Sequence, residues 1–323
     1  MAKNLARCFF SLLFAVIALG LTIHLSINRP IIGGTDDDAP VFPNFTKNAT
    51  WPAGTILCSP RSILRGHHQR IISYSLYGPM GTPRAEAPYE RLIFEIPDSA
   101  KIWYPGWVVR IYTNYSKEDE NATSWMQEIE DRFPTVDFCH VASLPGLSGD
   151  IQRNQSNGRV WRYLPLMDPL VDVFVSRDSD SPLSEREAAA VKEWLESKYI
   201  FHAMRDHPHH WEPAFAGLWG AKVSQNRSHV QHLGRKLIFE SGRSNNDGWD
   251  QQLLKNVLWP EAHQDFLVHA SFHCDKFGDG ETRAFPTRRP GGFWLGSGTR
   301  HPPIFDECPL KCRPKEHPDW TTC

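Results

Sequence analysis

Two carboxylates one residue apart, Asp178 and Asp180 with Ser179 between them, carry the strongest chemical signal in the chain. In a turn, such a pair can offer oxygens to one hard cation. Mg2+ or Mn2+ suits that donor set and keeps further positions for water and phosphate oxygens. A cation bridging a diphosphate would offset the charge that develops on a nucleotide leaving group. A solvated acidic turn is the alternative, and the flanking residues bear on the choice. Residues 171–175 read as a buried strand. Ser184, with Glu187 three positions on, reads as a capping box opening a helix over 185–197. The pair therefore stands at the carboxyl end of a strand, where open α/β sheets gather ligands.

Other residue types invite weighing. Gly217 and Gly220 bracket Trp219; glycine permits close backbone approach, and an aromatic face can stack on a sugar ring, although a tight turn around a core tryptophan has the same pattern. His207, His209 and His210 suggest zinc, but Pro208 breaks the helix that an H-x3-H site needs, and no H-E-x-x-H motif occurs. The chain has no G-x-S-x-G elbow, Walker loop or G-x-G-x-x-G fingerprint. Residues 247–254 read as the opening of a helix, which Asp247 can cap.

The elements that would position these groups alternate. Residues 71–78, 107–113, 136–141, 171–175 and 199–204 read as short strands, with helical stretches around 89–96, 124–132 and 185–197. This is the pattern of an α/β domain on a largely parallel sheet. With 35 basic against 37 acidic residues, the chain has no field that points to nucleic acid.

Residues 8–27 are uncharged and apolar, with Lys3 and Arg7 before and Arg29 after. About twenty such residues span a bilayer core of ~30 Å, and basic residues on the short side leave the bulk of the chain in the lumen. A cleaved signal peptide is the alternative, but the apolar run extends past its cleavage-like residues 18–20. Either assignment sends the chain into the secretory pathway. Six sequons agree: Asn44, Asn48, Asn114, Asn121, Asn154 and Asn226. So does the even set Cys58, Cys139, Cys274, Cys308, Cys312 and Cys323, which reads as disulfides of open connectivity rather than a zinc knuckle. The expected organisation is a cytoplasmic tail and anchor over 1–29, a stem over 30–65, a domain over 66–300 and a Cys- and Pro-rich tail over 301–323.

The stretch 161–181, holding Trp161-Arg162-Tyr163-Leu164-Pro165 and then Val173-Phe174-Val175-Ser176-Arg177-Asp178-Ser179-Asp180, resembles the core of GT-A glycosyltransferases. With residues 184–187, 202–208 and 217–222, it resembles a poorly characterised glycosyltransferase-like family of type II membrane proteins. The likeness runs from about residue 72 to 289. It implies a GT-A-like, Rossmann-like mixed sheet, mainly parallel and flanked by helices, behind an N-terminal transmembrane helix. It also implies that an arginine-bearing helix precedes the D-x-D strand. Arg162 would then contact the donor nucleotide or its phosphates, with Ser75 and Tyr77 bordering the base. Arg177 and Ser179 would lie toward the donor. Asp178 and Asp180 would bind Mn2+ or Mg2+, with His269 or His273 as a third ligand. Gln251 would line the donor pocket, with Asp250 the nominee for a catalytic base. Gly217, Trp219, Gly220 and Asp247 would shape the sugar or acceptor pocket, and Arg288 or Arg289 would close over the diphosphate.

The resulting expectation is a metal-dependent enzyme of the Golgi or ER lumen. It would move a sugar from a nucleotide-sugar to a glycan, glycoprotein or glycolipid. A non-catalytic carbohydrate-binding protein on the same fold is the alternative, with a metal-dependent hydrolase behind it.

Overall fold

Alternation in the first strand sets the architecture. In β1 (Gln69–Leu76), Ile72, Tyr74 and Leu76 join one apolar layer, whereas Ile71 joins the other. Side chains in a strand alternate between faces, so Ser73 and Ser75 share the face of Ile71. The computed structural model describes residues 55–297 and 301–323, except 82, 85–86, 148–150, 152–157, 241–243 and 245. The anchor over 8–27, the stem as far as residue 54, and the sequons Asn44, Asn48 and Asn154 lie outside the described residues. Among those described, no helix is long and apolar enough to cross a membrane.

After a short hairpin of β2 (Pro83–Arg84) and β3 (Ala87–Pro88) come β4 (Val108–Thr113), β5 (Val136–His140), β6 (Val171–Ser176), β7 (Phe201–Arg205), β8 (Trp219–Ala221), β9 (Phe266–Ala270) and β10 (Glu281–Arg283). Eight strands form one sheet in the order β10-β9-β7-β8-β6-β1-β4-β5. Its pairings are parallel except those of β8, which runs against both β6 and β7. The chain is thus α/β with a mixed, mainly parallel sheet. Because β8 reverses between them, β6 and β7 point the same way, and the carboxyl ends of β1, β6, β7 and β9 share one edge.

Helices cover both faces. On the side of Ile72 and Val175 lie α2 (Tyr89–Trp103), α3 (Glu120–Arg132) and α4 (Glu185–Glu196), packing Ile93, Ile96, Met126, Ile129, Val191 and Trp194. On the other side a 3-10 segment, Gly158–Met167, inserts Trp161, Tyr163, Leu164 and Leu166 beside α5 (Arg227–Arg235) and α6 (Trp249–Leu253). The expected arginine-bearing helix before β6 is therefore this 3-10 segment. The capping box at Ser184 is only half formed. Ser184 accepts from the Glu187 backbone at 3.4 Å, but the Glu187 carboxylate accepts from Arg177 Nε at 3.0 Å and from the Tyr104 hydroxyl at 2.8 Å.

The folded domain takes in the end of the expected stem. Thr55, Ile56, Leu57 and Cys58 are buried, α1 (Pro60–Leu64) is capped by Ser59, and Arg65 pairs with the buried Asp137 at 2.9 Å. Three disulfides use the six cysteines: Cys58 with Cys139, Cys274 with Cys312, and Cys308 with Cys323. The first ties the entering chain to β5. The other two fasten the tail, whose Cys323 carbonyl accepts from the Arg289 backbone N–H at 2.6 Å.

Candidate functional site

Arg162 forms the floor of the site. It lies on the 3-10 segment, and its backbone N–H donates to Ser75 Oγ at 2.9 Å, a contact available because β1 turns Ser75 toward that layer. Its guanidinium is 8 % exposed and bridges two carboxylates. One terminal nitrogen donates to Asp178 Oδ1 and, at 3.1 Å, to the Arg177 carbonyl. The other donates to Asp250 Oδ2 at 2.6 Å. Burial disfavours the charge, but Asp178, Tyr163 and Asp250 outweigh it, and the guanidinium is held above its ordinary pKa. Its Nε–H, also buried, has no hydrogen-bond partner among the described residues.

Asp178 leaves β6 at the carboxyl edge with its side chain 46 % exposed. The Arg177 backbone still donates to the Ser73 carbonyl at 3.1 Å, so the sheet fixes the residue before it. The opposite wall is Gly217. A Cβ there would meet Asp178 Oδ2 at 2.0 Å. The loop carrying Gly217 is fastened by Gln251, whose amide accepts from Ala216 N at 3.0 Å and donates to the Ala214 carbonyl. Ser176 Oγ donates to the Ala216 carbonyl at 2.6 Å. Gln251 thus positions the wall around Asp178 and has both ends of its amide engaged there.

Ser75, Leu76, Tyr77, Arg159, Arg162, Arg177, Asp178, Ser179 and Asp250 line a cleft of about 180 Å³ at the ends of β1 and β6. Tyr77 stands at its rim, 40 % exposed, with its ring edge-on to Trp161 at 5.8 Å. Gly158 makes room for it, since a Cβ there would lie 2.5 Å from the Tyr77 ring. Asp250 is buried beneath Arg162 and neutralises it, an arrangement that suits holding the guanidinium better than accepting a proton. The Arg177 side chain turns away into the protein, toward Glu187, Tyr104 and the Ser176 carbonyl. Asp180 lines a second cavity with Glu95, Ile96, Ser99 and Leu183, and Ser179 borders both.

The chain matches no protein-family model and no curated protein. Its chemistry must therefore be argued from the site.

Several expected site residues lie elsewhere. His269 has both ring nitrogens engaged, with His202 and with Glu193, each at 2.9 Å. His273 bonds the Pro208 carbonyl at 2.7 Å and packs on Trp211. Among the described residues, no three His, Cys, Asp or Glu side chains gather closely enough to hold a metal, so neither histidine completes a set with Asp178 and Asp180. Trp219 is fully buried between Tyr163 and Phe174, and β8 at Gly220 is pressed against the Phe174 carbonyl; the two residues serve the sheet. Asp247 is 95 % exposed and pairs with Arg159, while the residue at the helix start is Gly248 at φ 75°. Arg289 is buried against Asp206 at 2.9 Å and the Thr322 carbonyl, away from any phosphate role; Arg288 is exposed.

What the hard-cation expectation retains is Asp178. One carboxylate in a cleft, with the remaining positions filled by phosphate oxygens and water, is a usual Mg2+ arrangement. Asp178 and Ser179 are the oxygen-bearing side chains of the D-x-D turn that line the cleft. The residue missed from sequence is Arg159. In a 3-10 helix side chains at i and i+3 eclipse, so Arg159 and Arg162 share one face, a spacing visible in the sequence once that helix type is known.

Proposed function

We propose that the chain is a metal-dependent glycosyltransferase that takes a nucleotide-sugar in the cleft between β1 and β6. The observation that carries this reading is the company around Asp178. Ser75 and Tyr77, Arg159 and Arg162, Ser179 and Asp250 come from separate stretches of chain and meet at the carboxyl edge of parallel strands. That edge is where open α/β sheets bind nucleotides. The two arginines offer charge-assisted hydrogen bonds to a diphosphate, and Tyr77 at the rim offers a ring to a base.

A divalent cation, Mn2+ or Mg2+, would be held by Asp178, with Asp180 the second expected ligand once its turn reorients. It would neutralise charge on the departing diphosphate. Asp250 holds Arg162 in place, and Gln251 with Gly217 keeps Asp178 at the cleft. A lumenal glycan, glycoprotein or glycolipid hydroxyl is the proposed acceptor. The GT-A likeness and the type II Golgi or ER anchor over residues 8–27 belong to this proposal and rest on the sequence.

The test is nucleoside diphosphate release by the full-length protein from UDP- and GDP-sugars with Mn2+. Turnover with one donor, abolished in a folded Asp178→Asn variant, is expected. No turnover with any donor, together with no thermal shift from any nucleoside diphosphate, would sink the reading.

A further inference from the structure

Exposed apolar side chains gather at one edge of the sheet. Trp211, Phe293, Phe305 and Leu310, each between 55 % and 67 % exposed, stand beyond the carboxyl ends of β7 and β9. Trp211 follows β7 and packs on His273, which follows β9. The Leu295 backbone N–H donates to Asp206 Oδ2 at 3.1 Å, which seats Phe293 beside the end of β7. Phe305 shares the next turn, since a Cβ on Gly292 would stand 3.0 Å from its ring. Leu310 is held through Cys312, which is bonded to Cys274 beyond β9. Single exposed apolar residues are ordinary, but a group fixed by disulfides marks a contact surface.

The entering chain reaches the same edge. Leu57 N–H donates to the Pro145 carbonyl at 2.9 Å, and a Cβ on Gly146 would meet the Thr55 carbonyl oxygen at 2.5 Å. Pro145 and Gly146 follow the carboxyl end of β5. The cleft rim at Tyr77, after β1, lies between this entry and the apolar group. Leu64, Ile102 and Trp103 are also exposed, but they precede β1 and β4 and so lie at the opposite edge, where the chain does not enter. Charge narrows the partner. In the tail, Lys311, Arg313 and Lys315 stand against Asp306, Glu307, Glu316 and Asp319, so no basic excess invites a polyanion. Aromatic and aliphatic side chains among balanced charges suit the interface of a neutral bilayer.

We infer that the carboxyl edge docks on the bilayer that anchors the chain and turns the mouth of the cleft toward lipid headgroups. Residues 28–54 separate anchor from domain and can span at most about 95 Å. Such a tether keeps the edge at a high effective concentration near the bilayer, so a surface of low intrinsic affinity suffices. The orientation brings a lipid-borne acceptor, the glycolipid of the reading above, to the cleft mouth. The docking rests on the anchor over residues 8–27 and not on the donor reading.

The experiment uses the full-length chain carrying Cys8→Ser, reconstituted in phosphatidylcholine vesicles. An environment-sensitive dye is attached in turn at Phe305→Cys, Trp211→Cys, Tyr77→Cys and Ile102→Cys, and quenching by nitroxide-bearing lipid is measured. An unchanged Tm shows that each labelled protein is folded. Quenching at Phe305, Trp211 and Tyr77 should exceed that at Ile102 by about threefold or more, and should persist in about 0.5 M NaCl because no excess charge is used. Equal quenching at all four positions, or the strongest at Ile102, would overturn the inference. So would a Phe305 label that enters an apolar environment without quenching, because a protein partner would then cover the edge. An unquenched Tyr77 label would overturn the orientation of the cleft. Retention of the protein after alkaline carbonate with no quenching at Phe305 would overturn the inference and leave the anchor standing; release by carbonate would overturn both. The donor reading is decided separately, by the nucleoside diphosphate assay.

Discussion

Replacing Gly217 by alanine tests the geometry around Asp178 with a single methyl group. The added Cβ would stand 2.0 Å from Asp178 Oδ2 and 2.5 Å from its Cγ. Carbon and oxygen normally approach to about 3.3 Å, so something must move by about 1.3 Å. The carboxylate cannot turn aside freely, because its other oxygen accepts from Arg162. The loop cannot retreat freely either, because Gln251 and Ser176 hold Ala214 and Ala216. Overpacking of this kind costs about 1–3 kcal/mol. Loss of the charged hydrogen bond adds about 1 kcal/mol, less than for a buried pair because Asp178 is half exposed. For a domain of this size, a melting temperature lower by about 3–10 °C should follow. Thermal unfolding of Gly217→Ala, Asp178→Ala and the double variant gives the assay. Most of the clash goes when Asp178 is already alanine, leaving only the 3.1 Å approach to the backbone N of residue 178, so the second substitution should cost clearly less in that background. Equal cost in both backgrounds would refute the contact. Nucleotide affinity in Gly217→Ala should fall at least tenfold; unchanged affinity would separate Asp178 from ligand binding.

Asp206 is buried between Arg186 and Arg289, which hold its carboxyl well below the usual range against the opposing effect of burial, and Asp206→Asn should destabilise the chain by about 3–5 kcal/mol in denaturant unfolding because two guanidinium groups lose their counter-ion. Burial depresses the pKa of His202 and His269 and pulls His210 down to about 3. The native state thus refuses protons that the unfolded chain accepts below about pH 6.5, so stability is full above that pH and is lost on acidification toward pH 3. Melting curves between pH 7.5 and 4.5 should show the fall, and His210→Phe should flatten it. Gln251→Ala should lower nucleotide affinity several-fold by loosening the Gly217 loop; calorimetry would show no change if Gln251 were remote from function. Breaking the Cys308–Cys323 disulfide, whose cysteines lie 15 residues apart, should cost about 3 kcal/mol, seen as a lower denaturation midpoint for Cys308→Ser with Cys323→Ser.

Strand type and order of elements were legible because they are written in local pattern. Residues 71–76 and 171–176 alternate or run apolar, and Ser184 announces α4 through its backbone cap. The cleft residues Ser75, Tyr77, Arg162, Asp178, Ser179 and Asp250 were nominated from resemblance and strand-end logic, and they meet. Residues whose partners are distant were misassigned. Trp219 and Gly220 read equally as a sugar platform or as core, and only the reversal of β8 into the centre of the sheet decides for core. His269 shows in sequence none of the two partners, His202 and Glu193, that occupy it. Glu187 gave a correct helix start for an incomplete reason, since Arg177 and Tyr104 claim its carboxylate.

The 3-10 form of residues 158–167 has a consequence for how this chain can vary over time. With three residues to the turn, one residue inserted or deleted between Arg162 and Tyr163 rotates the start of the segment by about 120° against the core-bound remainder and carries Arg159 and Arg162 away from the cleft together. A change of three residues restores the face. Length variation at this place should therefore be tolerated in steps of three and be lethal to ligand binding otherwise. An event of this kind that takes one arginine out of the cleft takes both.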